Sequence, residues 1–299
     1  MTNDEQSTRL VLITGGGSGI GRATALRFAQ RGDMVLVTDI DETAAKETIE
    51  LVNAVGGRGA WYRQDVTDAT GWQELSDEIA GTHGVPDVLV NNAGILVTGS
   101  FLEQSVADWD RLMAVNLDGV FYGSRIVGEA MVQRGRGGHI VNIASAGAWV
   151  PNRVAGSYVV SKAAVLMLSE SMRIDLSRSN IRVSAICPGV IRTNLMAHGT
   201  RAGVSDEEAI RFRDNFAAAQ QRFSYAGPRA VARAVERAVT YNLAVVPVNP
   251  EAYFIAAARR LAPGLTRYAL GLGGLELGES LLSTVDRARL ALTGAERRQ

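Results

Sequence analysis

The sequence predicts an α/β fold, a doubly wound parallel sheet with a helical C-terminal extension, and three observations carry that prediction. Short apolar runs recur along the chain, stretches with helical spacing separate them, and each run is apolar at nearly every position rather than at alternate ones. Continuous apolar runs suit parallel strands covered by helices on both faces. They fall at residues 10–13, 34–38, 88–90, 139–143, 182–186 and 243–248, with intervals long enough for right-handed crossovers. Neither an internal repeat nor a low-complexity linker interrupts them, so residues 8–248 read as one domain. From residue 249 to 299 the pattern turns helical. Phe254, Ala258 and Leu261 share a face, Pro263-Gly264 breaks the run, and Leu281, Val285, Ala288 and Leu292 mark a last helix.

Composition narrows the function classes. Lysine plus arginine balances aspartate plus glutamate at 31 each, so no overall field draws the chain to nucleic acid. Cys187 is the only cysteine, and His83, His139 and His198 are scattered without ligand spacing; no metal site is expected, and each histidine reads as a surface or loop residue. A polar, acidic start and the lack of a bilayer-length apolar stretch point to a cytoplasmic protein. Residues 249–299 carry seven arginines against five acids, which permits contact with a membrane surface, but packing on the core or a sister subunit is the stronger expectation.

The first run leads directly into Thr14-Gly15-Gly16-Gly17-Ser18-Gly19-Ile20-Gly21 and then a helix. Glycines at the end of a strand allow a tight turn and let backbone N–H groups and a helix N-terminus approach a pyrophosphate. The spacing of Gly15, Gly19 and Gly21 differs from the common dinucleotide fingerprint, and an ordinary glycine-rich turn is the alternative. Asp39 ends the second run, where an acidic residue accepts hydrogen bonds from ribose hydroxyls and repels a 2′-phosphate. NAD is therefore expected over NADP, with Arg22 and Arg63 as rival phosphate partners and a turn role before Asp41 as the other reading of Asp39.

Tyr158 and Lys162 stand four apart at the start of a helical stretch, which places both side chains on one face. A nearby ammonium favours phenolate and brings a tyrosine towards acid/base use. Together with Asn91-Asn92-Ala93-Gly94, Asn116, Ser145 and Pro188-Gly189, these segments closely resemble the classical short-chain dehydrogenase/reductase family, from about residue 10 to 248 and in the family's order. The resemblance implies a Rossmann-type sheet and hydride transfer between NAD(H) and a secondary alcohol or ketone. In that scheme Tyr158 is the acid/base and Ser145 holds the substrate oxygen. Lys162 also holds the nicotinamide ribose, and Asn116 retains a water that leads to bulk solvent.

It further implies cofactor contacts from Gly15, Ser18, Gly19, Ile20, Gly21, Asp39, Asp65, Val66, Asn92, Ala93, Gly94, Pro188, Gly189, Ile191 and Thr193. Plainer roles stay open: Ser145 as a backbone cap, Asn116 at a helix kink, Thr193 as an N-cap. Trp149, Val150, Leu195, Met196, Phe216 and Phe223 suggest an apolar substrate pocket, and residues 206–221 a lid. The extension departs from the family's usual end. A homodimer or homotetramer is expected through the helix bearing Tyr158, whose apolar stripe continues through Val165, Leu168 and Met172. Rival functions are an NAD-dependent epimerase or dehydratase that recycles its cofactor, and a non-catalytic NAD(H) sensor.

Overall fold

The computed structural model describes residues 8–192, 195, 200–202, 226–264 and 266. Thr193, Met196, His198, Phe216, Phe223, the 206–221 segment and the expected last helix lie outside them. In chain order the elements are β1 (Leu10–Thr14), α1 (Gly19–Ala29), β2 (Met34–Asp39), α2 (Glu42–Ala54), β3 (Arg58–Arg63), α3 (Ala69–Thr82), β4 (Val88–Asn91), β5 (Val97–Thr98), α4 (Val106–Met113), α5 (Gly119–Arg134), β6 (Gly138–Ile143), α6 (Gly156–Asp175), β7 (Ile181–Pro188), β8 (Thr200–Arg201), α7 (Pro228–Tyr241), β9 (Val245–Val248) and α8 (Pro250–Leu261).

Seven strands pair in parallel in the order β3-β2-β1-β4-β6-β7-β9, and β5 and β8 form a small second sheet. The order reverses between β1 and β4, and in open α/β sheets ligands bind at the strand C-termini at such a switch point. Each face of the sheet carries its own core. On one, Phe28, Ile49, Val231 and Val235 from α1, α2 and α7 cover Val11, Val37 and Val90. On the other, Trp72, Ile79 and Met131 from α3 and α5 cover Leu12, Leu36 and Ile140. Trp72 is fully buried yet satisfied, because its indole N–H donates to the Val66 carbonyl at 3.0 Å.

A buried polar chain crosses these layers. The Asn91 amide donates to Asn142 Oδ1 at 2.8 Å and Ser124 Oγ at 2.9 Å, and the Asn142 amide donates to Ser169 Oγ at 2.9 Å. Opposite asparagines on β4 and β6 therefore tie α5 and α6 to fixed rungs of the sheet.

Helices α1 and α7 are clasped by Glu236, which is 5% exposed and accepts from Arg27 Nε at 2.5 Å and from the Arg31 guanidinium. Burial raises the Glu236 pKa, but hydrogen bonds and charge from the two arginines outweigh it and leave the carboxyl below its ordinary 4.5. With its folded pKa depressed, the clasp contributes fully above that ordinary value and fades as pH falls through the folded one. Both arginines are more than a third exposed and can rehydrate, so Glu236→Ala should cost only about 1–2 kcal/mol at pH 7. Chemical denaturation at pH 7 and pH 3 should show that difference shrinking in acid; an equal cost at both pH values would contradict it.

Two expectations need correction. His139 is not a surface residue: it is 4% exposed inside β6, with Nε2 2.8 Å from Ser184 Oγ. Ser184 gives its only proton to the Leu243 carbonyl, so its oxygen accepts from His139, which sits neutral with the proton on Nε2. Secondly, Val165, Leu168 and Met172 do not form a free stripe on α6. Val165 is buried beside Ala144, Leu168 packs on the same cluster, and Met172 packs against the core beneath α3 and α5. The exposed apolar side chains of α6 are Val160, Met167 and Ile174. Of the two packings expected for the extension, the shared face of α8 does not take the one on the core: Phe254 and Leu261 are exposed and α8 buries Ala252 instead. β3 was absent from the apolar runs, and β9 begins two residues later than its run. Among the described residues no helix is long and apolar enough to cross a membrane.

Candidate active site

The glycine loop lies at the switch point, and at Gly15, Gly16, Gly17 and Gly21 its shape leaves no room for a side chain. Gly15 and Gly19 adopt φ of 60° and 51°, backbone that other residues resist. A Cβ on Gly15 would lie 2.8 Å from Ala93 Cα, and one on Gly21 would lie 2.3 Å from the Gly15 carbonyl oxygen. Ser18 is the extended N-cap of α1, its side chain uncommitted to the helix, and Ile20 follows in the first turn. These are the features of a cradle for a pyrophosphate: a tight turn, a helix N-terminus and absent side chains.

The turn is braced from β4. Thr14 Oγ1 accepts from the Asn92 and Ala93 N–H groups at 3.0 and 3.1 Å, and the Asn92 amide donates to the Thr14 and Gly15 carbonyls at 2.9 Å. Thr14 is a site residue that the motif reading passed over; its place between the last apolar residue and the first glycine was the available signal.

Asp39 at the end of β2 accepts from Gly17 N–H at 2.9 Å and Asp41 N–H at 3.1 Å, so its carboxylate is fixed beside the loop. The bond from Asp41 N–H fits the turn reading of Asp39, and the bond from Gly17 N–H ties the same carboxylate to the glycine loop. Arg22 is already engaged, by Thr48, the Gly17 and Ala44 carbonyls, and the Glu47 carboxylate at 3.0 Å. Arg63 pairs in register with Asp39, is exposed, and joins no ion pair among the described residues. Beyond β3, Asp65 accepts from the Thr67 N–H and hydroxyl, while Val66 is buried against Gly119.

The second half of the site collects at the ends of β4, β6 and β7. Asn116 sits buried in a single π-helical turn, residues 114–118, between α4 and α5. Its Oδ1 accepts from Ile95 N–H at 2.8 Å, and its Nδ2 donates to the Ile95 carbonyl at 3.0 Å and to Ser161 Oγ at 3.2 Å. The π-helical turn, with its extra residue, directs this amide onto the segment that follows Gly94, between β4 and β5.

Lys162 lies one turn along α6 from Tyr158, is 4% exposed, and donates from Nζ to the Ile143 carbonyl at 2.9 Å. A Cβ on Gly94 would sit 3.5 Å from that Nζ and 3.2 Å from Asn116 Oδ1, so Gly94 lies beside both groups. Ser145 follows β6 and accepts from Gly147 N–H at 3.1 Å, capping the short turn that carries Trp149.

Burial pushes the Tyr158 phenol up to about 12, partly offset by its hydrogen bond with Ser145. Burial likewise pulls the Lys162 ammonium down to about 8. The ammonium lies 5.8 Å from the Tyr158 ring centroid and does not by itself bring the phenol into the physiological range. Cys187 is buried close by and held as a thiol, its pKa pushed up to about 12, which leaves no thiolate nucleophile here. Pro188 ends β7, Gly189 follows, and Ile191 is buried in a bridge to Ala226. Trp149 and Leu195 are both half-buried.

A parallel sheet with a glycine cradle at its switch point, and a Tyr–Lys–Ser–Asn group beside it in which Lys162 and Asn116 are buried and Tyr158 and Ser145 half-buried, is the architecture of a Rossmann-type dinucleotide-binding domain. The chain belongs to the short-chain dehydrogenase/reductase family, whose short chain dehydrogenase model matches residues 9–202. It is 42% identical over 259 residues to the probable oxidoreductase EphD of Mycobacterium tuberculosis, covering 86% of this chain but only 44% of that relative. The chain thus spans under half the length of that protein. It is 35% identical over 201 residues to the NADP-dependent (R)-specific alcohol dehydrogenase of Lentilactobacillus kefiri, covering 64% of this chain and 77% of the relative. A short-chain dehydrogenase/reductase of Burkholderia phymatum, solved with NAD, superposes with a TM-score of 0.79 at 28% identity, covering 87% of this chain and 95% of that one.

Proposed function

We propose that this oxidoreductase interconverts an apolar secondary alcohol and its ketone using NAD(H). The observation that carries the reading is the convergence of Tyr158, Lys162, Ser145 and Asn116 beside a cradle that admits no side chain at Gly15 or Gly21. A nicotinamide dinucleotide fits that cradle and, when bound, supplies the hydride acceptor or donor. Tyr158 takes the hydroxyl proton in oxidation and returns it in reduction. Ser145 donates to the substrate oxygen and stabilises the charge that develops on it. Lys162, fixed by the Ile143 carbonyl, holds the ribose and adds positive charge near the phenol, and Asn116 keeps the proton path to solvent.

With the phenol high in the free site, oxidation depends on the small phenolate fraction and should speed up as pH rises, whereas reduction needs the phenol and should slow. Initial rates in both directions from pH 6 to 10 check the signs; parallel profiles would remove Tyr158 from the role.

Support for an apolar substrate comes from the packing of Tyr158, with Ile95 and Met113, against the apolar cluster of Val97, Leu112 and Ala202. Support for NAD comes from the fixed Asp39 carboxylate and the occupied Arg22. Asp39→Ser should lower the NAD-to-NADP preference in kcat/KM by roughly tenfold or more, since a hydrogen bond to a charged acceptor is worth about 1.5–3 kcal/mol. An unchanged ratio would place the ribose elsewhere. A screen of aliphatic, aromatic and polycyclic secondary alcohols and ketones with both cofactors tests the whole reading, and NADH binding without any turnover would overturn it. A homo-oligomer is part of the proposal; the exposed apolar residues of α6, rather than the stripe first expected, are the surface available for it.

A further inference from the structure

The C-terminal extension begins with an unusual backbone. Asn249 adopts φ 83° and ψ 151°, a region occupied almost only by glycine, directly after β9 and before the first turn of α8. A non-glycine residue persists there only when its surroundings hold it, and here Asn249 is held by Val190 on one side and by the first turn of α8 on the other. Gly189 N–H donates to the Val248 carbonyl at 3.0 Å. Asn249 Nδ2 donates to the Val190 carbonyl at 3.2 Å and to Glu251 Oε1 at 3.2 Å, and Glu251 Oε1 also accepts from Val190 N–H at 3.1 Å. Both polar backbone groups of Val190 are thereby taken up by side chains of the extension. The contact is close: a Cβ on Gly189 would fall 2.4 Å from Glu251 Oε1.

We propose that Asn249 and Glu251 are positioning residues for the nicotinamide end of the cofactor site, acting through residues 188–190. The inference rests on the reading above that Pro188, Gly189 and Ile191 hold the cofactor. The clasp reaches across from the start of α8 to a segment about sixty residues earlier in sequence, at the C-terminal end of β7 where a bound ligand lies. Strain at Asn249 sets the direction in which α8 leaves β9 and so brings Glu251 over Gly189. The extension is then part of the active-site wall, and the cofactor binds a loop already set in shape.

The test separates positioning from mere stability. Glu251→Ala should weaken NADH binding, read by the fluorescence of the bound nucleotide, by roughly tenfold, the value of one or two hydrogen bonds. Glu251→Gln keeps an acceptor oxygen and should stay close to wild type. Asn249→Gly removes the strain together with the side-chain bonds, so its melting temperature should hold or rise while NADH affinity falls. Affinity unchanged in Glu251→Ala, lost equally in Glu251→Gln, or lost only in step with melting temperature would each overturn the proposal. Amide exchange at Val190 in the protein without nucleotide reads the clasp directly: slow in wild type and Glu251→Gln, fast in Glu251→Ala, with equal rates in all three overturning it. A wild-type chain that binds no NADH would instead overturn the cofactor reading, and the exchange result would still decide the clasp.

Discussion

Tyr158→Phe should retain NADH binding and melting temperature while turnover falls by roughly 10²–10⁴-fold, the usual contribution of a placed acid/base group. The substitution removes one oxygen. The ring keeps its packing against the cluster of Val97, Leu112 and Ala202, and the neighbouring Lys162 keeps its bond to the Ile143 carbonyl, so neither the fold nor the ammonium loses its support. What disappears is the proton carrier and the bond to Ser145. Single-turnover kinetics with NADH and a ketone found in the screen would isolate the chemical step. Wild-type turnover in this variant would sink the mechanism, whereas lost NADH binding would show that the phenol helps to hold the nucleotide rather than to move a proton.

The second large effect is acid sensitivity centred on His139. Burial, reinforced by the charges of Arg182, Arg173 and Arg9, pulls its pKa down to about 3. The unfolded chain takes up a proton near pH 6.5 and the folded chain does not. The lowered value therefore costs no stability above 6.5, and stability declines as pH falls from there towards 3, by about 1.4 kcal/mol per unit. At pH 4.5 the protein should be roughly 2–3 kcal/mol less stable than at pH 7 through this residue alone, before the Glu236 clasp begins to fade. His139→Val removes the titrating group and leaves Ser184 bonded to the Leu243 carbonyl. Denaturant midpoints at both pH values should differ much less in the variant; an undiminished difference would move the acid response elsewhere.

His139 also shows where the sequence is legible and where it stops being so. Its own run at 139–143 was read as a strand, and β6 occupies that place. Treating the histidine as a surface residue set aside the consequence of that strand being central, with β4 and β7 on either side. The partner that makes burial tolerable, Ser184, lies 45 residues away and leaves no local mark. Strands with helices on both faces announce themselves because every position must be apolar. β3 lies at the sheet edge and reads RGAWYR, with arginine at both ends and half-buried residues between, so nothing in its pattern resembles its neighbours.

The glycines and the tyrosine–lysine spacing were readable because each is a short-range requirement of one turn or one helix face. The asparagine pair on β4 and β6, the brace from Thr14 and the hold of Glu251 on Val190 join residues from distant segments, and only the folded chain brings them together. The stripe on α6 misled for a related reason. Helical spacing shows that a face is apolar but not whether the face meets its own sheet or another molecule.

The brace between Thr14 and Asn92 also bears on the order in which the chain can acquire its function. All the glycines of the cradle are made within the first 21 residues, yet the groups that set their shape lie 77 to 79 residues further on. A growing chain that has formed only its first two strand–helix units has the turn but not the scaffold for it. Closing a loop of that length carries an entropic cost that is recovered only when β4 pairs with β1. A nucleotide that needs the finished cradle would therefore stabilise the completed protein by mass action and give little assistance to the steps that build it.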